Sequence, residues 1–250
     1  LLCVLGSYAQ YRSRSYRSHG NPLPPDMQWQ VDPLFEKDVF TFVRLEYDSY
    51  GGRDKWRTDY PDCDYNFSFR LQQVTSLKVA PEPLIMRITD PRLFQYPWVY
   101  MIEPGDMILS EEEVVTLRRY LLSGGFLMVD DFWGEAEWRN FYEQIKRVFP
   151  EREPQELPIT HPIFSCVLPL KEKPQIPNNY TGVQSQYSGV TWERPDARTP
   201  HYKAIFDDNG RMMAIICHNT DLGDGWEREG ESEYYFREFS EAKAYPLGIN

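Results

Sequence analysis

Residues 110–131, SEEEVVTLRRYLLSGGFLMVDD, constrain the fold more than any other part of the chain. Ser110 and Glu113 have the spacing of a capping box, and apolar residues then recur at helical spacing. Gly124 and Gly125 predict where this helix ends. The next four residues have no polar side chain, which is typical of a strand covered on both faces. This segment therefore predicts a helix followed by a central strand.

Strand and helix patterns alternate along the rest of the chain. Strands are predicted near residues 39–47, 84–89, 98–103, 126–130 and 211–217. Helices are predicted near residues 67–76, 110–122, 134–148 and 232–244, whereas the proline-rich stretch 150–205 is predicted to be irregular. Such alternation favours an α/β domain, a three-layer sandwich with a mostly parallel central sheet and right-handed crossovers.

The amino-acid composition argues against one class of binding partner but does not indicate a reaction. The chain has 250 residues, of which 41% are hydrophobic, enough to build one large domain with a sizeable core. The net charge is −11, and no basic stripe interleaved with aromatic residues occurs, which argues against nucleic-acid binding. We therefore expect an unknown protein or small molecule as the partner.

The N-terminal segment predicts a location. Residues 1–9 are apolar and end in a small-x-small pattern, which indicates the remnant of a signal peptide. Residues 10–37 then form a leader or linker, and residues 38–250 form a single α/β domain whose last residues suggest C-terminal truncation. A buried strand or the end of a membrane anchor are the alternatives for the apolar segment, so a membrane-proximal position stays open. The expected location is periplasmic or secreted, with the cytoplasm as the alternative because basic residues follow.

Acidic residues follow several predicted strands. Ligands of open α/β sheets lie outside the carboxyl ends of the strands, where these side chains would meet. The predicted ligand-binding residues are Glu46, Asp48, Arg57, Tyr60, Glu103, Asp130, Asp131, Asn219 and Asp221. Capping of the next helix is the alternative role for Asp130 and Asp131.

Clustered carboxylates need arginines, a bound cation or protonation to persist, and the candidate arginines are Arg44, Arg53 and Arg57. We expect the main pocket to be lined by at least three of these acidic residues and by one aromatic residue of the loop 50–65. The rings of that loop either recognise a ligand or fold onto the sheet edge.

The segment DLGDGWE, residues 221–227, offers oxygen ligands for a hard cation. Asp221, Asp224 and Glu227 are the candidate metal ligands, although a polar turn explains the same residues. No cofactor is predicted beyond a divalent cation, which remains open. His161 and His201 are isolated histidines, for which a structural role is the simpler interpretation.

The order of several short motifs resembles one bacterial family. These motifs are E-Y-D after the first strand, D-Y-P in the following loop, G-G-F-L-M-V-D-D-F, the H-P-I-F of residues 161–164 and D-L-G-D-G-W-E. Together they are similar to domain of unknown function 4159, over about residues 38–250. The resemblance implies a flavodoxin-like sheet similar to that of class I glutamine amidotransferases. It implies no particular reaction.

Enzymes of that fold class carry a cysteine on a tight turn between strand and helix. Residues 215–218, I-I-C-H, are similar to such an elbow, so Cys217 and His218 join Asp130 and Asp131 as candidate catalytic residues. A loop is predicted after His218, however, and the acidic surroundings would raise the thiol pKa. A buried cysteine at the strand end is therefore favoured.

Two classes of function follow from these patterns. The preferred hypothesis is a non-catalytic binding or assembly module of the bacterial envelope, built on an amidotransferase-like sheet. The alternative is a carboxylate- or metal-dependent hydrolase that uses the acidic strand ends. A Cys217-based enzyme is the weakest hypothesis, and oligomeric state and disulfide pairing do not follow from the sequence.

Overall fold

The computed structural model describes residues 28–35 and 38–250. A seven-stranded sheet forms the centre of this part of the chain. Its strands are β1 (Val43–Glu46), β3 (Leu84–Arg87), β4 (Trp98–Ile102), β6 (Phe126–Asp130), β7 (Gln155–Glu156), β8 (His201–Phe206) and β9 (Met212–His218). Two further strands, β2 (Asp48–Ser49) and β5 (Met107–Ile108), pair with each other in an antiparallel ribbon.

The spatial order of the large sheet is β3-β1-β4-β6-β9-β8-β7. The first five strands of this order are parallel, and β8 and β7 extend the sheet by antiparallel pairing. From β1 the chain goes to β3 on one side and then returns to β4 on the other. The topological switch point, where ligands of such sheets bind, therefore lies between the carboxyl ends of β1 and β4.

Helices cover both faces of the sheet. They are α1 (Asp62–Val74), α2 (Glu111–Leu122), α3 (Gly134–Val148), α4 (Asn179–Ser188), α5 (Leu222–Glu227), α6 (Glu233–Tyr235) and α7 (Tyr245–Ile249), and a π-helical segment, Phe236–Ala244, joins the last two. Side chains of α2 and α3 pack into one apolar cluster on one face. Side chains of α1, α5 and α7 pack into a second cluster on the other.

Strand alternation decides which side chains face which layer. In β4, Val99 and Met101 belong to the cluster under α2 and α3, whereas Tyr100 and Ile102 belong to the cluster under α1 and α5. The same alternation directs the polar side chains of Arg44 in β1 and Asp130 in β6 toward α1 and α5. The two charged groups are thus buried on the same face.

The sequence predicted the architecture correctly. All five predicted strands are present and parallel, with helices on both faces, so the mostly parallel α/β sheet is confirmed. The first helix begins at Asp62 and not near residue 67, since Pro61 precedes it and Asp62 and Asp64 favour its first turn. The stretch 150–205 is only partly irregular, because it contains α4 and β8.

The loop predicted after His218 is wrong at its centre. Leu222–Glu227 is the helix α5, despite its two glycines. The Asp221 side chain caps it by accepting a hydrogen bond from the Asp224 N–H, and the helix packs on α1, where Asn66 donates to the Trp226 carbonyl (2.7 Å). Tertiary packing and a cap therefore outweigh the low helix propensity of glycine.

The signal-peptide remnant predicted for residues 1–9 lies outside the described residues, as does most of the leader predicted for 10–37. Trp29 is described, and its indole donates to the Val79 carbonyl (2.7 Å) next to the ring of Phe69. None of the helices in the described ranges has both the length and the apolarity needed to cross a bilayer.

A cavity of about 290 Å³ lies at the opposite end of the sheet from the predicted site. Phe40, Trp98 and Phe126, at the amino ends of the parallel strands, line it together with the last residues of the chain. Its walls are mostly apolar side chains, and none of the predicted acidic residues contributes to it. The expectation that acidic residues line the main pocket therefore gains no support from this cavity and stays a prediction.

Candidate functional site

The acidic site is assembled around the end of β6. Asp130 is fully buried, and its Oδ2 accepts hydrogen bonds from the Tyr100 hydroxyl (2.8 Å) and from the Gly223 N–H (2.9 Å). Its other oxygen, Oδ1, is buried and has no hydrogen-bond partner among the described residues. Burial raises the pKa of Asp130 to about 7. The end of this strand therefore holds a carboxyl group poised to accept a proton.

Asp131 follows in a left-handed backbone conformation, with φ of 54°. Its Oδ1 accepts from the Trp133 indole (3.0 Å), and burial, followed by the charge of Glu103, raises its pKa well above the usual range. Neither Asp130 nor Asp131 caps α3, because the Glu135 N–H donates to Asp196 and the Trp133 N–H donates to Glu137. The capping role proposed as the alternative is therefore absent.

Backbone strain concentrates at this edge of the sheet. In the described part of the chain, the only non-glycine residues with positive φ are Asp59, Glu103, Asp131 and Asn219. Glu103 directly follows β4, Asp131 follows β6 and Asn219 follows β9. Left-handed residues other than glycine persist only where their surroundings fix them, and they are common at functional sites. This edge of the sheet is therefore the candidate site.

The helix α5 brings two further carboxylates to the site. Asp221 caps the helix, and Asp224 Oδ2 accepts from the Asn179 N–H at the start of α4 (2.7 Å). Between them, Gly223 allows a close approach, since a Cβ atom there would lie 2.4 Å from Asp59 Oδ2 and 3.0 Å from the Tyr100 hydroxyl. A side chain at this position would push Asp59 and α5 apart.

Asp59 completes the site, and sequence reasoning did not assign it a role. Single carboxylate oxygens of Asp59, Asp221 and Asp224 all lie within 4.8 Å of one another. The residue is half-buried as a whole, but its Oδ2 is buried, and no described residue donates a hydrogen bond to it. The D-Y-P motif that carried the family resemblance contains Asp59. That motif was the one sequence signal that could have identified it.

Mutual repulsion is the main electrostatic property of this site. Burial raises the pKa of Asp221 well above its usual range, and the charges of Asp131, Asp224 and Asp59 raise it further. The pKa of Asp59 is raised well above its usual range by burial and then by Asp224. Two unit charges 4 Å apart repel by about 4 kcal/mol at the effective dielectric constant of a protein surface. The carboxyl groups of Asp59, Asp131, Asp221 and Asp224 therefore favour protons or a cation.

None of the predicted arginines forms an ion pair with the central aspartates among the described residues, although the charge of Arg44 opposes the rise in the pKa of Asp59. Arg44 binds Asp64 and donates to the Trp56 and Thr58 carbonyls, and Arg53 and Arg57 are exposed. Arg228 contacts the rim, where its Nε lies 3.4 Å from Asp224 Oδ1 and 2.6 Å from Glu227 Oε2. Among the described residues, no ion pair joins a basic side chain to Asp59, Asp130, Asp131 or Asp221.

Other predicted binding residues lie around the site or away from it. Glu103 Oε1 accepts from the Thr58 hydroxyl (2.8 Å), and its Oε2 pairs with Lys55 (2.9 Å). Glu46 and Asp48 both pair with Arg87 at the end of β3. Tyr60 is half-buried, with the Arg44 guanidinium 5.9 Å from its ring centre. Of these residues, Glu103 is the one whose charge contributes to the raised pKa of Asp131.

The loop after β1 mostly folds onto the domain. Tyr47 is buried and donates to the Ile102 and Glu103 carbonyls, while Trp56 packs against the apolar core. Tyr50 is the exposed ring of this loop, with 57% of its surface accessible. The interpretation that these rings fold onto the sheet edge therefore fits most of them.

Cys217 and His218 are buried in β9 and do not form an elbow. Burial raises the Cys217 thiol pKa well above its usual range, and the charge of Asp130 raises it further. His218 Nε2 lies 3.1 Å from the Gly134 carbonyl, and burial lowers its pKa to about 4. The Asn219 side chain accepts a hydrogen bond from the Gly134 N–H and donates one to the Thr199 carbonyl. It therefore links the start of α3 to the segment before β8. The thiolate needed for cysteine chemistry is disfavoured at this position.

Fold and site together define an α/β protein with an acidic site at the carboxyl ends of a mostly parallel sheet. The chain belongs to the family described as "Domain of unknown function (DUF4159)", whose model matches residues 41–250. The family membership inferred from the motifs is thereby confirmed. A search among functionally curated proteins found no match to the chain.

Proposed function

We propose that this domain is a non-catalytic binding module of the bacterial envelope that holds its ligand at the acidic site. The observation that carries the proposal is the convergence of buried aspartates and strained residues at the carboxyl ends of the parallel strands. Asp59, Asp131 and Asp221 come from three separate loops of the chain. Keeping mutually repelling carboxylates together on a strained backbone costs free energy, and such strain is typical of ligand-binding sites.

We also propose that the sheet is flavodoxin-like and similar to that of class I glutamine amidotransferases. Numbered in chain order, the five parallel strands have the spatial order 2-1-3-4-5, which is the flavodoxin-like order. The burial of the Cys217 thiol supports a domain that does not use the cysteine chemistry of that fold class. A ligand complementary to the site carries positive charge, either as a cation or as a basic group of a partner.

A comparative pull-down tests the binding proposal. Full-length wild-type protein and its Asp131→Asn variant are recovered from the envelope fraction of native cells, with Asp208→Asn as the control on an exposed turn. Asparagine tolerates the left-handed backbone and can still accept from the Trp133 indole. We expect a partner or small molecule to copurify with wild type and Asp208→Asn and to be lost from Asp131→Asn. Equal recovery in all three, or absence of the protein from the envelope fraction, contradicts the proposal.

Hydrolysis is the second candidate, and one observation favours it. Asp131 lies on a strained turn between β6 and α3, which is the backbone arrangement that presents catalytic nucleophiles in other α/β enzymes. We expect, under this alternative, turnover of a phosphoester, carboxylic ester, peptide or glycoside substrate that falls by about 100-fold or more in Asp131→Asn. Turnover that is equal in wild type and Asp131→Asn, measured beside Asp208→Asn, would exclude Asp131 as the catalytic group.

A further inference from the structure

We propose that Asp59, Asp221 and Asp224 bind a hard divalent cation, of the class of Ca²⁺, Mg²⁺ or Mn²⁺. One carboxylate oxygen from each residue lies within 4.8 Å of the others. Cation–oxygen distances of about 2.0–2.6 Å bring opposite ligands about 4–5 Å apart, so one ion can contact all three. Oxygen ligands alone favour these hard cations over zinc or copper.

Two buried carboxylate oxygens without hydrogen-bond partners among the described residues are a second observation that points to a ligand. This observation is independent of the distances within the cluster. Asp59 Oδ2 is buried with no hydrogen-bond donor, although it lies beside Gly223 at the centre of the cluster. Asp130, whose side chain is fully buried, binds the Gly223 N–H through Oδ2 and leaves Oδ1 unpartnered. Buried polar atoms are nearly always satisfied in native proteins, so such orphans indicate an ion or a water.

The remaining contacts fix the ligands in place. The Asp224 N–H donates to Asp221 Oδ1 (2.7 Å), and the Asn179 N–H donates to Asp224 Oδ2 (2.7 Å). Hydrogen bonds of this kind orient carboxylate ligands in known metal sites. Asp59 is held by its backbone, since its carbonyl accepts from the Cys63 N–H (3.0 Å) at the start of α1. The cation would therefore join α1 to α5.

This inference rests on the proposed function, because the cation would occupy the same site. Experiments can nevertheless contradict the cation site without contradicting the binding module, and the reverse. A cation can bind without any partner being retained in the pull-down. A partner can also bind through its own basic group in the absence of metal. Cation titration of the purified protein therefore tests the inference by itself.

The experiment uses the full chain stripped with a chelator and then titrated separately with CaCl₂, MgCl₂ and MnCl₂ by calorimetry. We expect one of these ions to bind with a stoichiometry of one and to raise Tm by several degrees at saturation. Asp59→Asn is the deciding variant, because the substitution removes no hydrogen bond between the Asp59 side chain and the described part of the protein. Its affinity is expected to fall at least about tenfold, while that of Asp208→Asn is unchanged.

Asp221→Asn is a second variant, and circular dichroism shows whether it keeps its fold after its cap is altered. No heat of binding and no Tm shift with any of the three ions up to about 10 mM, beyond the weakest extracellular calcium sites, would overturn the inference. So would an Asp59→Asn variant that binds the ion as tightly as wild type does.

Discussion

Replacement of Arg44 by methionine is expected to lower the free energy of unfolding by about 3–5 kcal/mol. Arg44 and Asp64 are both fully buried, and their charges are paired at close range. Arg44→Met leaves the Asp64 charge without its partner in the core. It also removes the donor to the Trp56 and Thr58 carbonyls (3.0 and 2.9 Å), which fix the loop directly before Asp59. Urea unfolding followed by circular dichroism measures the loss.

The double variant Arg44→Met/Asp64→Leu separates the two parts of this effect. Removal of both charges eliminates the unpaired carboxylate, so most of the stability is expected to return. The loop carbonyls remain without the guanidinium, so binding at the acidic site is expected to stay weakened even in the double variant. An Arg44→Met protein whose free energy of unfolding stays within about 1 kcal/mol of wild type would show that the ion pair contributes little.

Asp130→Asn is expected to change how stability depends on pH. Burial raises the folded-state pKa of Asp130 from its ordinary value of 3.8 to about 7, so the folded protein holds a proton that the unfolded chain has released. The stabilisation of the folded state by this proton is fully present below about pH 4. It is lost as the pH rises through 7, by roughly 4 kcal/mol in total. In Asp130→Asn, the amide oxygen can still accept from Tyr100 and Gly223, and no charge develops.

The two proteins are compared by urea unfolding at pH 4.5, 6 and 7.5 in the presence of a chelator, which keeps cations from the site. We expect the stability of Asp130→Asn relative to wild type to rise by about 3 kcal/mol between pH 4.5 and 7.5, because about 1 kcal/mol of the wild-type contribution is already lost at pH 4.5. The difference between the two proteins cancels the contributions of titrating groups that do not interact with Asp130. A difference that does not vary with pH would show that Asp130 is ionised throughout this range.

The sequence was informative where local pattern and sheet geometry suffice. Apolar runs and helix caps predicted the five parallel strands, and the rule for carboxyl strand ends then placed Asp130, Asp131 and Asp221 at one edge. Asp59 could not be placed in this way, because its position depends on a left-handed turn and on the packing of α1 against α5. Neither the turn at Asp59 nor the packing of these two helices can be predicted from local secondary-structure propensities.

The role of Arg44 shows the same limit. Its position among the acidic strand ends suggested that it neutralises the site, but alternation within β1 turns it away from Val43 and Leu45 and toward α1. The early start of that helix supplies Asp64 as its partner. A helix boundary misplaced by five residues was enough to hide a buried ion pair and to misassign the arginine.

The packing of α5 on α1 has a consequence for how the chain holds together. More than half of the chain lies between Asp59 and Asp221, so a ligand that joins them closes a very long loop. Such a closure resists separation of the early and late segments of the folded chain for as long as the ion is bound. An occupied site would therefore hold the loop before α1 close to α5, and removal of the ion would let these two segments separate.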